Sequence, residues 1–381
     1  MKMINVWTTE IDDADAAVSE ILGKLGESPG ANTVGLLGCH PDYIESGVAA
    51  AVAGRLPFDV IGCTTAFGSA AGAMDPDLLQ IAVLAADDAE FAVAVSGPLT
   101  PENLKEEMEA VAAVGNGMAS GKAKVGIIYQ PMIKGLVGDM AMGALSGALG
   151  GTPLFGTLAG GIAMDGGDGA VIANGNATTG QIAVLFISGN VEPRFFMRSI
   201  ANKNIISQKA TVTESNGYAI TKVNGMPYYD YLHSIGYNAQ EAVDYTQLPC
   251  LFNFGSGRQA VALGIYGIDE AGGVRFGSKI PEGTTFSIGE IDAESIRETD
   301  ENVLAAIASE GRPDCVLLFP CVSRYFMLAP DFDAEAHRIA DALGGIPHAV
   351  SYSGGEICPV VNKDGTAENR FHNYSIVALA L

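Results

Sequence analysis

Asp314-Cys-Val-Leu-Leu-Phe-Pro-Cys-Val-Ser-Arg324 opens the stretch that decides the fold, and Ile346-Pro-His-Ala-Val-Ser-Tyr-Ser-Gly-Gly-Glu-Ile-Cys-Pro359 closes it. The uncharged run Cys315-Val-Leu-Leu-Phe319 predicts a strand buried on both faces, stopped by Pro320-Cys321. Between the two segments, residues 333–343 have helical spacing, with Ala336, Ile339, Ala340 and Leu343 on one stripe. Gly344-Gly345 ends that helix, because glycine takes the left-handed C-terminal conformation without penalty. A second apolar strand follows over 346–350. The unit is β-α-β, which brings both strand ends to one edge of a sheet, the edge at which open α/β sheets hold ligands. Here it carries Cys321, Ser323, Arg324, Tyr352, Ser353 and Glu356.

Working outward, the same pattern recurs twice upstream. Val52-Ala-Gly-Arg-Leu-Pro57, Ala148-Leu-Gly-Gly-Thr-Pro153 and Ala342-Leu-Gly-Gly-Ile-Pro347 each read as a helix end, a proline within four residues, and then a strand leading to a small-residue loop. This predicts three divergent β-α-β-β copies. Three strand-end loops become equivalent: Cys63-Thr64, Thr157-Leu158 and Tyr352-Ser353. The third copy takes a helix over 300–309 and a last strand over 374–381. Between copies two and three, residues 211–223 read as a β-hairpin turned at Ser215-Asn-Gly217, and strands over 251–254, 259–265 and 284–288 follow. The expected fold class is therefore α/β (α+β): two domains with mixed sheets, three divergent repeats and an antiparallel insertion. The boundary falls at 198/199, giving domains 1–198 and 199–381.

With 381 residues, 48% hydrophobic and 17% charged, the chain is a folded globular protein. Its 48 glycines, about 13% against a usual share of about 7%, fit many tight turns. The formal charge is 21 − 44 = −23 with no basic run, which argues against nucleic acid or an anionic membrane as partner. Six cysteines without C-x-x-C spacing read as reduced thiols of a cytoplasmic protein. Residues 140–164 carry no charge, but seven glycines and Pro153 make a buried helix followed by a buried strand the better reading than a membrane span.

Taken together these residues resemble the FIST domain family, a bacterial and archaeal sensory family with N- and C-terminal parts. Gly62-Cys63-Thr64-Thr65 is similar to its Gly-Cys-Ser-Thr signature, with threonine for the usual serine. The glycine-rich passage from Leu154-Phe-Gly156 to Asp165, Cys321-Val-Ser-Arg324, Ser351-Tyr-Ser-Gly-Gly355-Glu356 and Phe371-His372-Asn373 resemble further family segments. Val350 stands where the family has glycine. The resemblance implies binding of a small ligand such as an amino acid, with signalling to a separate partner such as a kinase or cyclase. A branch of the family binds haem and senses nitric oxide, so haem is the alternative cofactor.

An arginine fork suits a ligand carboxylate and a nearby carboxylate suits an ammonium group, so Arg324 and Glu356 form a candidate amino-acid clamp. The competing reading is an ion pair between the two. Cys63 and Cys321 end strands without a histidine close by, and read more readily as buried inert thiols than as nucleophiles of a hydrolase or transferase. His40 and His348 are the candidate haem ligands, and each also reads as an ordinary packed or turn histidine. Asp165-Gly-Gly-Asp-Gly169 lacks the alternation of a calcium loop and reads as a turn. Gly255-Ser-Gly257-Arg258 is a weak anion cradle, more readily a strand-to-strand turn. The expected ligand site, in a cleft between the domains, therefore comprises Cys63, Thr64, Thr157, Cys321, Ser323, Arg324, Tyr352, Ser353, Gly355 and Glu356, with no catalytic or metal-binding residue.

Overall fold

The structure, a computed structural model, describes all residues except 27–29, 31, 71–72, 76, 161–168, 238–247, 255–258, 271 and 362–365. Residues 165–168 of the turn expected over 165–169, and the anion cradle at 255–258, lie outside the described residues.

The first copy runs β1 (Lys2–Thr8), α1 (Ala14–Leu25), β2 (Thr33–Cys39), α2 (Asp42–Glu45), α3 (Val48–Arg55), β3 (Asp59–Thr64), the hairpin β4 (Gly68–Ala70) and β5 (Ala73–Asp75), and β6 (Leu79–Ala85). Helix α1 shows why the elements form. Asp13 caps it, its carboxylate accepting from the amides of Asp15 and Ala16, and the stripe Ala17, Val18, Ile21 and Leu25 is buried. The second copy repeats the order as β7 (Ala89–Val95), α4 (Leu104–Asn116), β8 (Val125–Gln130), α5 (Met140–Leu149), β9 (Leu154–Leu158), the hairpin β10 (Val171–Ala173) and β11 (Asn176–Thr178), and β12 (Ala183–Gly189).

The third copy starts at β13 (Arg194–Arg198) and is interrupted by the insertion. This comprises β14 (Ala210–Ser215), β15 (Ala219–Val223), β16 (Met226–Pro227), α6 (Tyr228–Ser234), β17 (Cys250–Asn253), β18 (Val261–Leu263), β19 (Ile265–Ile268), β20 (Val274–Phe276) and β21 (Thr285–Ile288). The copy resumes with α7 (Ala293–Ser309), β22 (Val316–Pro320), α8 (Val322–Met327), α9 (Ala334–Leu343), β23 (His348–Ser351), the hairpin β24 (Glu356–Val361) and β25 (Ala367–His372), and β26 (Ile376–Ala380).

Each copy is thus β-α-β-α-β, then a hairpin and a last strand, rather than the simpler β-α-β-β expected. The hairpins do not stay at home. β10–β11 of the second copy pairs with β3 of the first, β24–β25 of the third with β9 of the second, and β4–β5 of the first with β23 of the third. Three six-stranded mixed sheets result: β1-β6-β2-β3-β10-β11, β7-β12-β8-β9-β24-β25 and β13-β26-β22-β23-β4-β5. The loan is cyclic and the three sheets are alike strand for strand. Their inner faces share one apolar core, in which Tyr129, Phe155 and Phe319 meet. Strand β13, expected in the N-terminal domain, pairs with β26 in the third copy's sheet.

The insertion is antiparallel, in the order β18-β17-β21-β14-β15-β20-β19. The strands at the two ends of that order, β18 and β19, are consecutive halves of one strand bent at Gly264, so the sheet closes on itself as a small barrel. Its interior is filled by Tyr228, Phe252, Phe276 and Phe286. Among the described residues no helix is long and apolar enough to cross a membrane. All six cysteines are free and buried.

Candidate functional site

The register of the three sheets identifies equivalent positions. Gly38 faces Cys63 across β2 and β3, and Tyr129 faces Thr157 across β8 and β9. In the third sheet the register from Leu318–Val350 to the bridge Cys321–Ser353 sets Phe319 opposite Ser351. Side chains directly opposite one another share a face. The inner ring is therefore Gly38, Tyr129 and Phe319, with Cys63, Thr157 and Ser351 beside it. On the other flank stand Gln80, Ala183 and Val377.

Two sectors of this ring are filled by an aromatic side chain. The first is not, because glycine stands there. A small cavity occupies that place, lined by Gly38, Cys63, Thr65, Gln80, Tyr129, Thr157, Phe319, Ser351 and Tyr352 together with Leu36, Ala82 and Leu317. Its volume, about 20 Å³ for the centre of a water molecule, is room for about one water. Gln80 reaches into the vacated sector and donates to the Val350 carbonyl at 2.6 Å and to Ser351 Oγ at 2.8 Å. A side chain at position 38 would collide with Ser351 Oγ, which lies 2.9 Å from an ideal Cβ. Thr157 Oγ1 donates to Ser353 Oγ at 2.6 Å, tying the second copy to the third. Thr65 Oγ1 donates to the Tyr352 carbonyl, tying the first copy to the third.

Of the residues expected from sequence, Cys63, Thr157 and Tyr352 line this cavity, and Ser353 stands one hydrogen bond behind it. Thr64 is spent on the borrowed hairpin, its Oγ1 accepting from the Ala170 amide at 2.8 Å. Gly355 locks the strand ends, its carbonyl accepting from the Leu158 amide at 2.8 Å and from Ser353 Oγ at 2.6 Å. Ser323 is half-buried on α8.

Arg324 has a different place. It is fully buried, and its five N–H donors are all engaged: Nε with Glu335 Oε1 at 2.7 Å, Nη1 with Thr299 Oγ1 and the Tyr374 carbonyl, Nη2 with the Ile296 carbonyl and Asp300 Oδ1 at 2.6 Å. None is left for a ligand carboxylate. Burial works against the guanidinium charge, but Glu335 and Asp300 offset it. Burial also works against Glu335, and Arg324 nevertheless holds its carboxylate below the ordinary range, while burial and Glu335 push Asp300 well above it. The Tyr352 hydroxyl donates to Glu335 Oε2 at 2.5 Å, so this network abuts the cavity wall without opening into it.

Glu356 does not pair with Arg324 by hydrogen bond either. Its Oε2 accepts from the amide and the hydroxyl of Ser375, at 3.2 and 2.6 Å. Burial pushes its pKa up to about 8. A clamp of these two side chains around one ligand therefore has no geometry to support it.

Burial also pushes the Cys63 and Cys321 thiols far above their ordinary range, the opposite of an activated nucleophile. His40 Nδ1 lies 3.3 Å from Asp42 Oδ2, and His348 Nδ1 stands 2.9 Å from the Ile346 carbonyl. Neither histidine lines this cavity. Gly38, Gln80 and Tyr129 escaped the sequence reading, and Thr65 and Ser351 entered it only as members of motifs and not of the expected site. The signal was present once the copies are superposed, since Leu37-Gly38-Cys39, Ile128-Tyr129-Gln130 and Leu318-Phe319-Pro320 occupy one position and only the first lacks an aromatic.

The FIST N domain family matches residues 33–226, and the FIST C domain family matches residues 227–359. No curated protein matches the chain. Among solved structures, the crystal structure of cyanuric acid hydrolase from A. caulinodans is similar over 99% of this chain and 99% of that chain, at 11% identity and a TM-score of 0.36. A likeness of that size carries no argument about function.

Proposed function

The chain belongs to the FIST domain family, whose domains are sensory and implicated in small-ligand binding and signalling, and from that premise we propose that it binds a small polar metabolite, an amino acid or a molecule like it, in the axial cavity. The observation that carries this reading is the vacated first sector. Where two copies place Tyr129 and Phe319, the first places Gly38, and the gap is lined by Gln80, Cys63 and Thr65 of that copy and by Ser351 of the third. A few convergent polar groups on an otherwise apolar wall, contributed by all three copies, are the kind of lining that orients a ligand. Thr157 and Ser351 supply hydroxyls and Gln80 an amide. Of the expected clamp residues, Arg324 supports the wall through Glu335 and Tyr352, and Glu356 is bound to Ser375. In the present form the cavity holds about one water. A metabolite larger than that enters only with displacement of the Tyr352 or Tyr129 ring, and this makes binding a conformational event fit for signalling. The signal then passes to a separate protein.

Thermal unfolding in the presence of each amino acid tests the reading. A ligand at one hundred times its dissociation constant stabilises by about 2.7 kcal/mol, a shift of several degrees. The shift is expected for wild type and lost in Gly38→Phe, which fills the sector, and in Ser351→Ala, which removes a polar contact with little change of shape. No shift from any small polar metabolite, or a shift undiminished in both variants, overturns the reading.

A further inference from the structure

Beyond Cys321 the third copy builds an aromatic cluster on the surface. Phe67 stacks on Tyr325 with ring centroids 3.8 Å apart, and Tyr325 stacks on Phe332 at 4.7 Å. Phe326 meets Tyr325 edge-on at 5.7 Å. Phe326 and Phe332 are 38% and 37% exposed, the two exposed phenylalanines among the described residues. Rings held in place by stacking offer contact area with little ordering cost, the property of an interface anchor.

Charge selects the partner. Asp331 is exposed beside Phe332, and Asp333 lies against Tyr325, whose hydroxyl is pushed up by burial and then by that carboxylate. The two arginines of this region, Arg324 and Arg338, turn inward onto Asp300 and Glu335. The rim is therefore acidic on a chain of net charge −23. A second copy of the chain and an anionic lipid surface both meet repulsion here, whereas a segment carrying lysine or arginine beside apolar side chains meets attraction.

We propose that the Tyr325–Phe326–Phe332 cluster is the docking surface for a separate protein that presents a segment carrying lysine or arginine beside apolar side chains. The position gives it a role in output. Tyr352 lines the axial cavity and meets Tyr325 edge-on at 5.8 Å, so one ring contact separates the ligand site from the docking surface. That output role rests on the ligand reading of the cavity, and the surface itself does not.

The probe is a synthetic 18-residue helix of leucine and lysine with one tryptophan, measured by fluorescence anisotropy against the full chain, beside the same peptide with glutamate for lysine. The lysine peptide is expected to bind, and the glutamate peptide to bind at least 10-fold more weakly. Phe326→Ser/Phe332→Ser should weaken the lysine peptide at least 10-fold, and Asp331→Asn/Asp333→Asn several-fold with a shallower salt dependence. Ile205→Ser/Ile206→Ser, which alters an exposed apolar pair elsewhere, should change nothing. No binding of the lysine peptide, equal binding by the double phenylalanine variant, or an equal loss in the isoleucine control overturns the proposal. So does sedimentation showing a dimer of the chain that the phenylalanine variant abolishes, which makes a second copy the occupant. Failure of the ligand reading is seen separately, as absent thermal shifts with peptide binding intact.

Discussion

Glu356 keeps its proton at neutral pH because burial outweighs the hydrogen bonds from Ser375 that favour losing it. It is fully buried, Oε2 is satisfied by Ser375, and Oε1 finds no partner better than the Cys321 thiol beside it. Arg324 favours the charged form, yet burial outweighs it and the group titrates near about 8 rather than 4.5. The sign follows from proton counting. Between those values the folded chain holds a proton that the unfolded chain has released, so the contribution is fully present below about pH 4.5 and is lost as pH rises through about 8. His372, its cross-strand partner on β25, works the other way. Burial pushes it down to about 4, so its contribution is present above about pH 6.5 and lost as pH falls through about 4. Glu356→Gln should therefore gain stability over wild type between pH 5 and 8, by a few kcal/mol at about 1.4 per unit. Urea unfolding of both proteins across that range checks it, and two parallel curves would contradict it. The sequence made Arg324 and Glu356 stand out because a charge after an apolar strand is conspicuous. It could not show that Asp300 and Glu335, on α7 and α9, would take every donor Arg324 has. Those partners are 24 and 11 residues away along the chain and join it only through packing.

Helices and strands with clear periodicity were legible in place, and the misreadings have physical reasons. Helix α7 was expected over 300–309 but starts at Ala293, because Asp292 caps it, accepting from the Ser295 amide at 2.6 Å, ahead of an opening turn rich in charge. The strand expected over 259–265 is cut at Gly264, where a Cβ would come within 3.2 Å of the Tyr374 hydroxyl. The hairpins were invisible as loans, because β-strand pairing at a distance leaves no local mark in sequence. Glycine does leave one. An ideal Cβ at Gly62 or Gly156 would lie 1.8 or 2.0 Å from the carbonyl oxygen of Leu37 or Ile128 on the neighbouring parallel strand, whereas the third copy carries Val350 at that position. Gly156→Ala should thus destabilise by roughly 1–3 kcal/mol or more, as overpacking does. Val350→Gly should instead open a cavity and cost a similar amount. Chemical denaturation distinguishes the two positions from neutral ones, and an unchanged midpoint for Gly156→Ala would refute the close approach.

At the scale of the whole molecule, three copies were readable from their glycine–proline marks, and a boundary at 198/199 followed from them. The boundary cuts across pairings the sequence could not reveal. A fragment 1–198 lacks β24–β25 for its second sheet, and a fragment 199–381 lacks β13 and the β4–β5 hairpin for its third. Neither fragment is expected to fold alone. Mixed together they should recover the folded state, and the intact body of three sheets should unfold in one calorimetric transition. Independent folding of either half would show that the loans are dispensable.

The cyclic loan also bears on how such a chain can grow or shrink. Remove one copy and one sheet loses its outer strands while another copy's hairpin is left with no sheet to join. Three separate single-copy chains, by contrast, would satisfy one another around a threefold axis in the manner of a domain-swapped ring. The internal repeat thus has the wiring of a domain-swapped trimer whose subunits are joined end to end.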